Sequence, residues 1–161
     1  MPIIKKYVPI GLSLFSAVIF LDSLRYKFTD APETQEIFGR LDAWATSLGA
    51  GGVFDKTGIF SQYVIGSAEL VASALLLIGL LSRFVKLGTL GNLIALGVMT
   101  GAVSFHLFTP LGIDPNNDGG LLFVMAVLVL ISQIIMLWLR REIVMSLIKN
   151  PLSLFTAPEP G

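Results

Sequence analysis

Long uninterrupted apolar runs dominate the pattern of this chain, and strict apolar–polar alternation is scarce. A membrane-crossing helix needs about 20 mainly apolar residues to cover roughly 30 Å of hydrocarbon. Three stretches meet that need directly, at about residues 60–81, 85–108 and 121–139. A fourth starts at Tyr7 and reaches only Leu21 before Asp22 interrupts it. It becomes long enough at 7–28 if Arg25 and Lys27 run their stems along the helix and keep their charges at the interface. The predicted fold class is therefore all-α: a four-transmembrane-helix bundle. The bundle forms one domain over residues 1–150, followed by a C-terminal tail at 151–161. Ser82-Arg83 is expected to link the second and third spans as a tight antiparallel hairpin.

The segment between the first two spans, residues 29–59, has a different texture. Pro32 and Glu33 open a helical pattern in which Ile37, Phe38, Leu41, Trp44, Ala45 and Leu48 share one face. Glu36, Arg40 and Asp42 fall on other faces, and Gly49, Gly51 and Gly52 end the run. This predicts an amphipathic helical insert that either lies on the membrane or caps the bundle as a lid. Beyond the last span, Arg140, Arg141 and Lys149 lead to Pro151, and the end of the chain from Ala157 to Gly161 is expected to be disordered.

Composition strengthens the membrane reading. Of 161 residues, 54% are hydrophobic and 14% charged, against roughly 25% charged in soluble domains. Mean hydropathy is +0.81. A net charge of zero and no basic tract exclude nucleic acid as a partner. With no cysteine, thiol–disulfide exchange and thiolate-held clusters are excluded, and a single histidine excludes a His-rich metal site. Lys5 and Lys6 ahead of an apolar run imitate a signal peptide, but Leu21-Asp22-Ser23 offers no small-x-small cleavage site, so the run reads as an uncleaved helix.

Basic residues set the expected orientation. Lys5, Lys6, Arg83, Lys86, Arg140, Arg141 and Lys149 collect at one end; Arg25, Lys27, Arg40 and Lys56 lie at the other. By the positive-inside rule both termini are expected in the cytoplasm, and the insert and the 109–120 loop face outward.

Ionisable side chains at membrane depth are costly and are candidate functional groups by default. The candidates are Glu69, Asp22, Arg25, Lys27 and His106. Glu69 is about nine residues inside its span, near the midplane at ~1.5 Å per residue. The others sit toward the outward end, so all can converge there as a polar cluster. The cluster reads either as a structural clasp or as a ligand or proton-handling site. Asp114-Pro115-Asn116-Asn117-Asp118-Gly119 matches the opening of a calcium loop through Asp114, Asn116 and Asp118. The twelfth position is Met125 instead of the required Glu, and a simple turn before the last helix explains the stretch. No other metal site and no catalytic residue set is predicted. No cofactor is predicted either; a quinone or pigment contact at His106 is the alternative. Gly88, Gly91, Gly97 and Gly101 give the third span a small-residue surface, with Gly97-x-x-x-Gly101 fitting the rule for close helix approach; packing inside the bundle is expected, with dimerisation or docking to a larger complex as the alternative. Asn92 and Gln133 are expected to hydrogen-bond between helices.

With these residues in view, the chain resembles the DoxX-like small membrane proteins. The resemblance is carried by Gly66-x-x-Glu69 followed by Leu75 to Arg83, by Ala102-x-x-x-His106 followed by Leu107 to Ile113, and by Asp118 to Phe123. It covers about residues 7–140, and the insert departs from the shortest members. The resemblance implies a four-helix prokaryotic inner-membrane protein, with Glu69, Arg83 and His106 as its family-like positions. It further implies a membrane partner of redox machinery, since one related subunit occurs in thiosulfate:quinone oxidoreductase and another member is linked to an oxidoreductase complex against oxidative stress. The expected function is a non-catalytic accessory or anchoring subunit of a larger membrane complex, with the lipid bilayer as its other partner. The alternatives are a quinone-linked oxidoreductase subunit and a small lipid- or solute-binding protein; homo-oligomerisation is a further option.

Overall fold

The computed structural model describes residues 2–155, with side chains at 7–152 and 154. The expected tail at 157–161 lies outside the described residues, as do the side chains of Lys5 and Lys6. Six α-helices are formed among the described residues: α1 (Pro2–Phe28), α2 (Pro32–Ser47), α3 (Gln62–Ile78), α4 (Val85–Phe108), α5 (Leu121–Leu139) and α6 (Arg141–Lys149). The class is all-helical.

Three stretches are long and apolar enough to cross a membrane: Tyr7–Phe28, Ser82–Phe108 and Leu121–Leu139. The helix expected over 60–81 is shorter, at 17 residues, or about 25 Å at the standard rise. Its ends explain the difference. Ser61 caps the start by accepting a bond from the Val64 amide at 3.3 Å, and Gly79 stops the helix. The expected two-residue hairpin link is accordingly longer, running from Gly79 through a 3₁₀ turn at Ser82–Phe84.

The core lies where α1, α3, α4 and α5 meet. Phe20, Ala72, Leu76, Ala95, Met99 and Val129 are buried there. Small residues let α3 and α4 approach closely at the basic end. A Cβ on Gly79 would fall 2.3 Å from the Gly88 Cα, closer than any real contact, so the pair must stay glycine. Gly91 likewise sits against Leu75 and Ala72. Gly97 and Gly101 correct the expectation of internal packing. Nothing lies within 4 Å of a Cβ at Gly97, and Gly101 would meet only Phe105 of its own helix at 3.9 Å.

A second core sits at the opposite end. Leu41 and Ala45 of α2 bury against Phe54 and Leu111, with Ile37, Phe38, Trp44, Val53 and Phe105 around them. The apolar face of α2 is thus spent on the chain itself, as a lid would be, and only Leu48 of that pattern is left strongly exposed, at 66%. Asp42 secures the following loop by accepting the amides of Gly52 at 2.9 Å and Phe54 at 3.1 Å.

Candidate functional site: a polar clasp between α1 and α3

Glu69 faces inward from α3 because Gly66, Ala72, Ser73 and Leu76 on the same side are buried too. It is 3% exposed, and α1 supplies its partners. Lys27 Nζ lies 3.0 Å from one carboxylate oxygen and 3.1 Å from the other. Ser23, one turn before Lys27, donates to the same carboxylate at 3.2 Å, and Lys27 donates to Ser23. Gly66 makes room for this, since a Cβ there would touch the Lys27 stem at 3.4 Å.

The other sequence candidates go elsewhere. Asp22 and Arg25 pair with each other at 3.1 Å on an exposed face, with side chains 58% and 70% exposed. The convergence on Glu69 is therefore limited to Lys27, because Asp22 and Arg25 point outward at their positions on α1. His106 is buried but engaged differently: its Nδ1 donates to the Gly112 carbonyl at 2.6 Å, and its ring meets the edge of Phe123. It pins the loop after α4 and leaves Nε2 as the nitrogen able to coordinate a ligand. Arg83 is exposed in the turn before α4, over the Phe84 ring.

The calcium-like loop folds as a turn. Asp114 accepts the Asp118 amide at 2.8 Å, and Asp118 accepts those of Gly120 and Leu122, each at 2.9 Å. These bonds start α5. Burial works to raise the Asp118 carboxyl, and the Leu122 and Gly120 amides overcome it, leaving the group below the usual carboxylate range. No group of three or more His, Asp or Glu side chains is placed to hold a metal among the described residues.

One network escapes sequence reading, and a second is legible only at its Asn92–Gln133 centre. The first centres on Asp30, which has φ of 58°. Gln62 donates to Asp30 Oδ1 at 2.6 Å and to the Lys27 carbonyl at 2.8 Å. Gln35 donates to Asp30 at 2.9 Å and to Gln62 at 2.8 Å; Tyr63 and Lys56 complete the set. The bond from Lys56 holds the Asp30 carboxyl below its ordinary range, and Asp30 in turn raises Lys56. Lys27 thus joins both networks, its amine to Glu69 and its carbonyl to Gln62. The only signal in the sequence was an Asp two residues ahead of a helix-opening proline.

The second network runs through the other half of the bundle. Asn92 donates to Gln133 at 2.8 Å, as the interhelical expectation has it, and Gln133 donates to Ser16 at 2.7 Å. Arg140 donates to Asn92 at 3.1 Å. The sequence places Arg140 among the basic residues at the end of the bundle, yet it is only 9% exposed. A break after Leu139 turns its side chain back toward α4.

The DoxX family model matches residues 11–107, from α1 through the clasp to the end of α4. No curated protein and no solved structure matches the chain.

Proposed function

The chain belongs to the DoxX family, and on that premise we propose that it is a non-catalytic accessory or anchoring subunit of a larger membrane complex, with redox or electron-transfer chemistry residing in a partner. The observation that carries this reading is the outward face of α4. Gly97 and Thr100 are exposed, with Gly101 beside them, and the bundle leaves Gly97 without a neighbour. Small residues at this spacing let a second helix approach closely in lipid. The inward polar groups support the same reading: Glu69, Lys27 and Gln133 are bonded to one another or to neighbouring helices, as in a scaffold.

The proposed topology has four spans, with both termini on the cytoplasmic side of the inner membrane. Arg83, Arg140 and Arg141 at one end of the bundle support that orientation. At ~25 Å, α3 crosses if the bilayer thins locally around it.

The test is purification from native membranes in mild detergent, with Gly97→Leu as the comparison. A stoichiometric membrane partner that is retained by the natural chain and lost from Gly97→Leu is the expected result. An absorption spectrum of the purified complex then identifies a redox group in the partner. A chain that purifies alone, or a partner indifferent to Gly97→Leu, would overturn the proposal.

A further inference from the structure

Among the described residues, Arg140 is a buried charge with no carboxylate beside it. Its guanidinium carries five N–H donors in a fixed fork, yet its one side-chain acceptor among the described residues is the neutral Asn92 oxygen. A buried charge without a counter-charge is strongly destabilising unless something supplies one. Burial works against the charged form, lowering the group below its ordinary value, but an arginine does not deprotonate in a protein.

Arg140 also lines a cavity of about 400 Å³. The remaining walls are Pro9 and Ile10 of α1, Gly79, Leu80 and Ser82 of the α3–α4 turn, Val85 of α4 and Leu139 of α5. The walls are mainly apolar, with one cation and one hydroxyl. Close packing of Gly79 on Gly88 shapes this end, and Gly88 lies directly under the guanidinium, where a Cβ would stand 3.0 Å from Nη1. One turn further along α1, on the same face as Pro9, Ser13 Oγ is buried without a hydrogen-bond partner.

We infer that this cavity is a binding site for an anionic phospholipid, its headgroup phosphate held by Arg140 and its acyl chain laid along Pro9, Ile10, Leu80 and Val85. Charge complementarity selects the phosphate, because guanidinium and phosphate pair through two parallel bonds. The apolar walls select a lipid over a free anion. The site's place at the end of the α5 span sets it at headgroup depth. Neither the subunit role nor the α4 face enters this argument, so each can fail without the other.

The experiment is native mass spectrometry of the delipidated full chain titrated with phosphatidylglycerol. A single 1:1 adduct is expected, weakened about tenfold or more in Arg140→Gln, and left within about twofold in Arg141→Gln. Arg141 is the exposed neighbour over Trp138, so its variant removes the same charge without touching the cavity. Equal weakening by both variants reduces the effect to surface charge and overturns the proposal, as does unchanged binding in Arg140→Gln. Inorganic phosphate that displaces the lipid at equal concentration overturns the lipid as the occupant. If Arg140→Gln fails to fold, Val85→Phe fills the cavity and keeps the charge. Loss of the adduct then supports the site, and its persistence overturns it.

Discussion

Lys27 on α1 and Glu69 on α3 hold each other at 3.0 Å, with the carboxylate 3% exposed and the lysine side chain 15% exposed. The two ends of the pair are not equivalent. Lys27 sits at the last turn of its helix and has a long stem that can carry its charge to the interface. Glu69 is two turns into α3 and cannot. Removing the lysine therefore strands a buried charge, at a cost of ~3–5 kcal/mol, whereas removing the acid lets the lysine relax outward. Thermal unfolding in detergent is expected to rank Lys27→Met well below Glu69→Gln, with Lys27→Met/Glu69→Leu recovering most of the loss. Equal stability for the two single variants would mean that the pair is not desolvated in the folded bundle.

How this clasp could be foreseen, and how far, follows from period and depth. Apolar run length located α1, α4 and α5, because a span advertises itself through many residues at once. Glu69 was visible because one carboxylate in such a run has no neutral explanation. Its partner was harder: Arg25 and Lys27 have the same chemistry, and only the helical phase of α1 against α3 sends Lys27 inward and Arg25 onto Tyr26. Asp30 was invisible for another reason. Its partners come from residues 35, 56, 62 and 63, and nothing in local pattern joins them before the lid folds. Arg140 was misplaced because an arginine after an apolar run usually snorkels, while here the chain breaks at that residue.

The two glycine pairs give opposite expectations from the same residue type. Gly79→Ala drives a methyl into the Gly88 backbone, and overpacking of this kind costs ~1–3 kcal/mol. Gly97→Ala meets nothing and gains helix propensity of up to ~1 kcal/mol. Unfolding of the purified chain should separate the two by several degrees, with Gly97→Ala at or above the natural protein. A destabilised Gly97→Ala in a monomeric preparation would show that its face packs within the bundle after all.

Acid sensitivity should trace to Asp30. Its carboxyl is held low, chiefly by the bond from Lys56. A lowered carboxylate adds stability that is complete above its unfolded value of 3.8 and drains away as pH falls through the lower folded value. Lys56, raised chiefly by Asp30, contributes fully below 10.5 and loses its share as pH climbs through the higher folded value. Unfolding temperatures between pH 7 and pH 2.5 are expected to converge for the natural protein and Asp30→Asn as the acid limb is reached. A constant gap across that range would remove Asp30 as the acid-sensitive group. Asp118, also lowered, adds to the same limb and is separable through Asp118→Asn.

His106 tests whether a buried histidine in a membrane helix must be a ligand. Its Nδ1 bond to the Gly112 carbonyl ties α4 to the loop carrying Leu111, which plugs the second core. His106→Phe keeps the ring and loses the bond. Hydrogen exchange should then rise at residues 109–113, with little change in α1 or α3, because the bond acts locally. Unchanged exchange there would show that the Leu111 contacts alone hold the loop.

Gln133 is the junction at which three helices share one amide. It is fully buried, accepts from Asn92 and donates to Ser16, so Gln133→Leu orphans a donor on α4 and an acceptor on α1. Each orphaned group costs ~1–3 kcal/mol when water cannot replace the partner. Membrane hydrogen bonds measured as pairs are weaker, averaging ~0.6 kcal/mol, because the unfolded chain finds other partners. The two figures disagree, and Asn92 decides between them. Asn92→Leu removes the acceptor of a buried guanidinium as well as the Gln133 bond, so it should cost distinctly more than Gln133→Leu if desolvation governs. If pair energies govern, the two variants should unfold within about a degree of each other. Saturating phosphatidylglycerol should narrow the Asn92→Leu deficit more than that of Gln133→Leu, since the phosphate would give Arg140 the counter-charge it lacks. An equal effect of lipid on both variants would locate the binding away from Arg140.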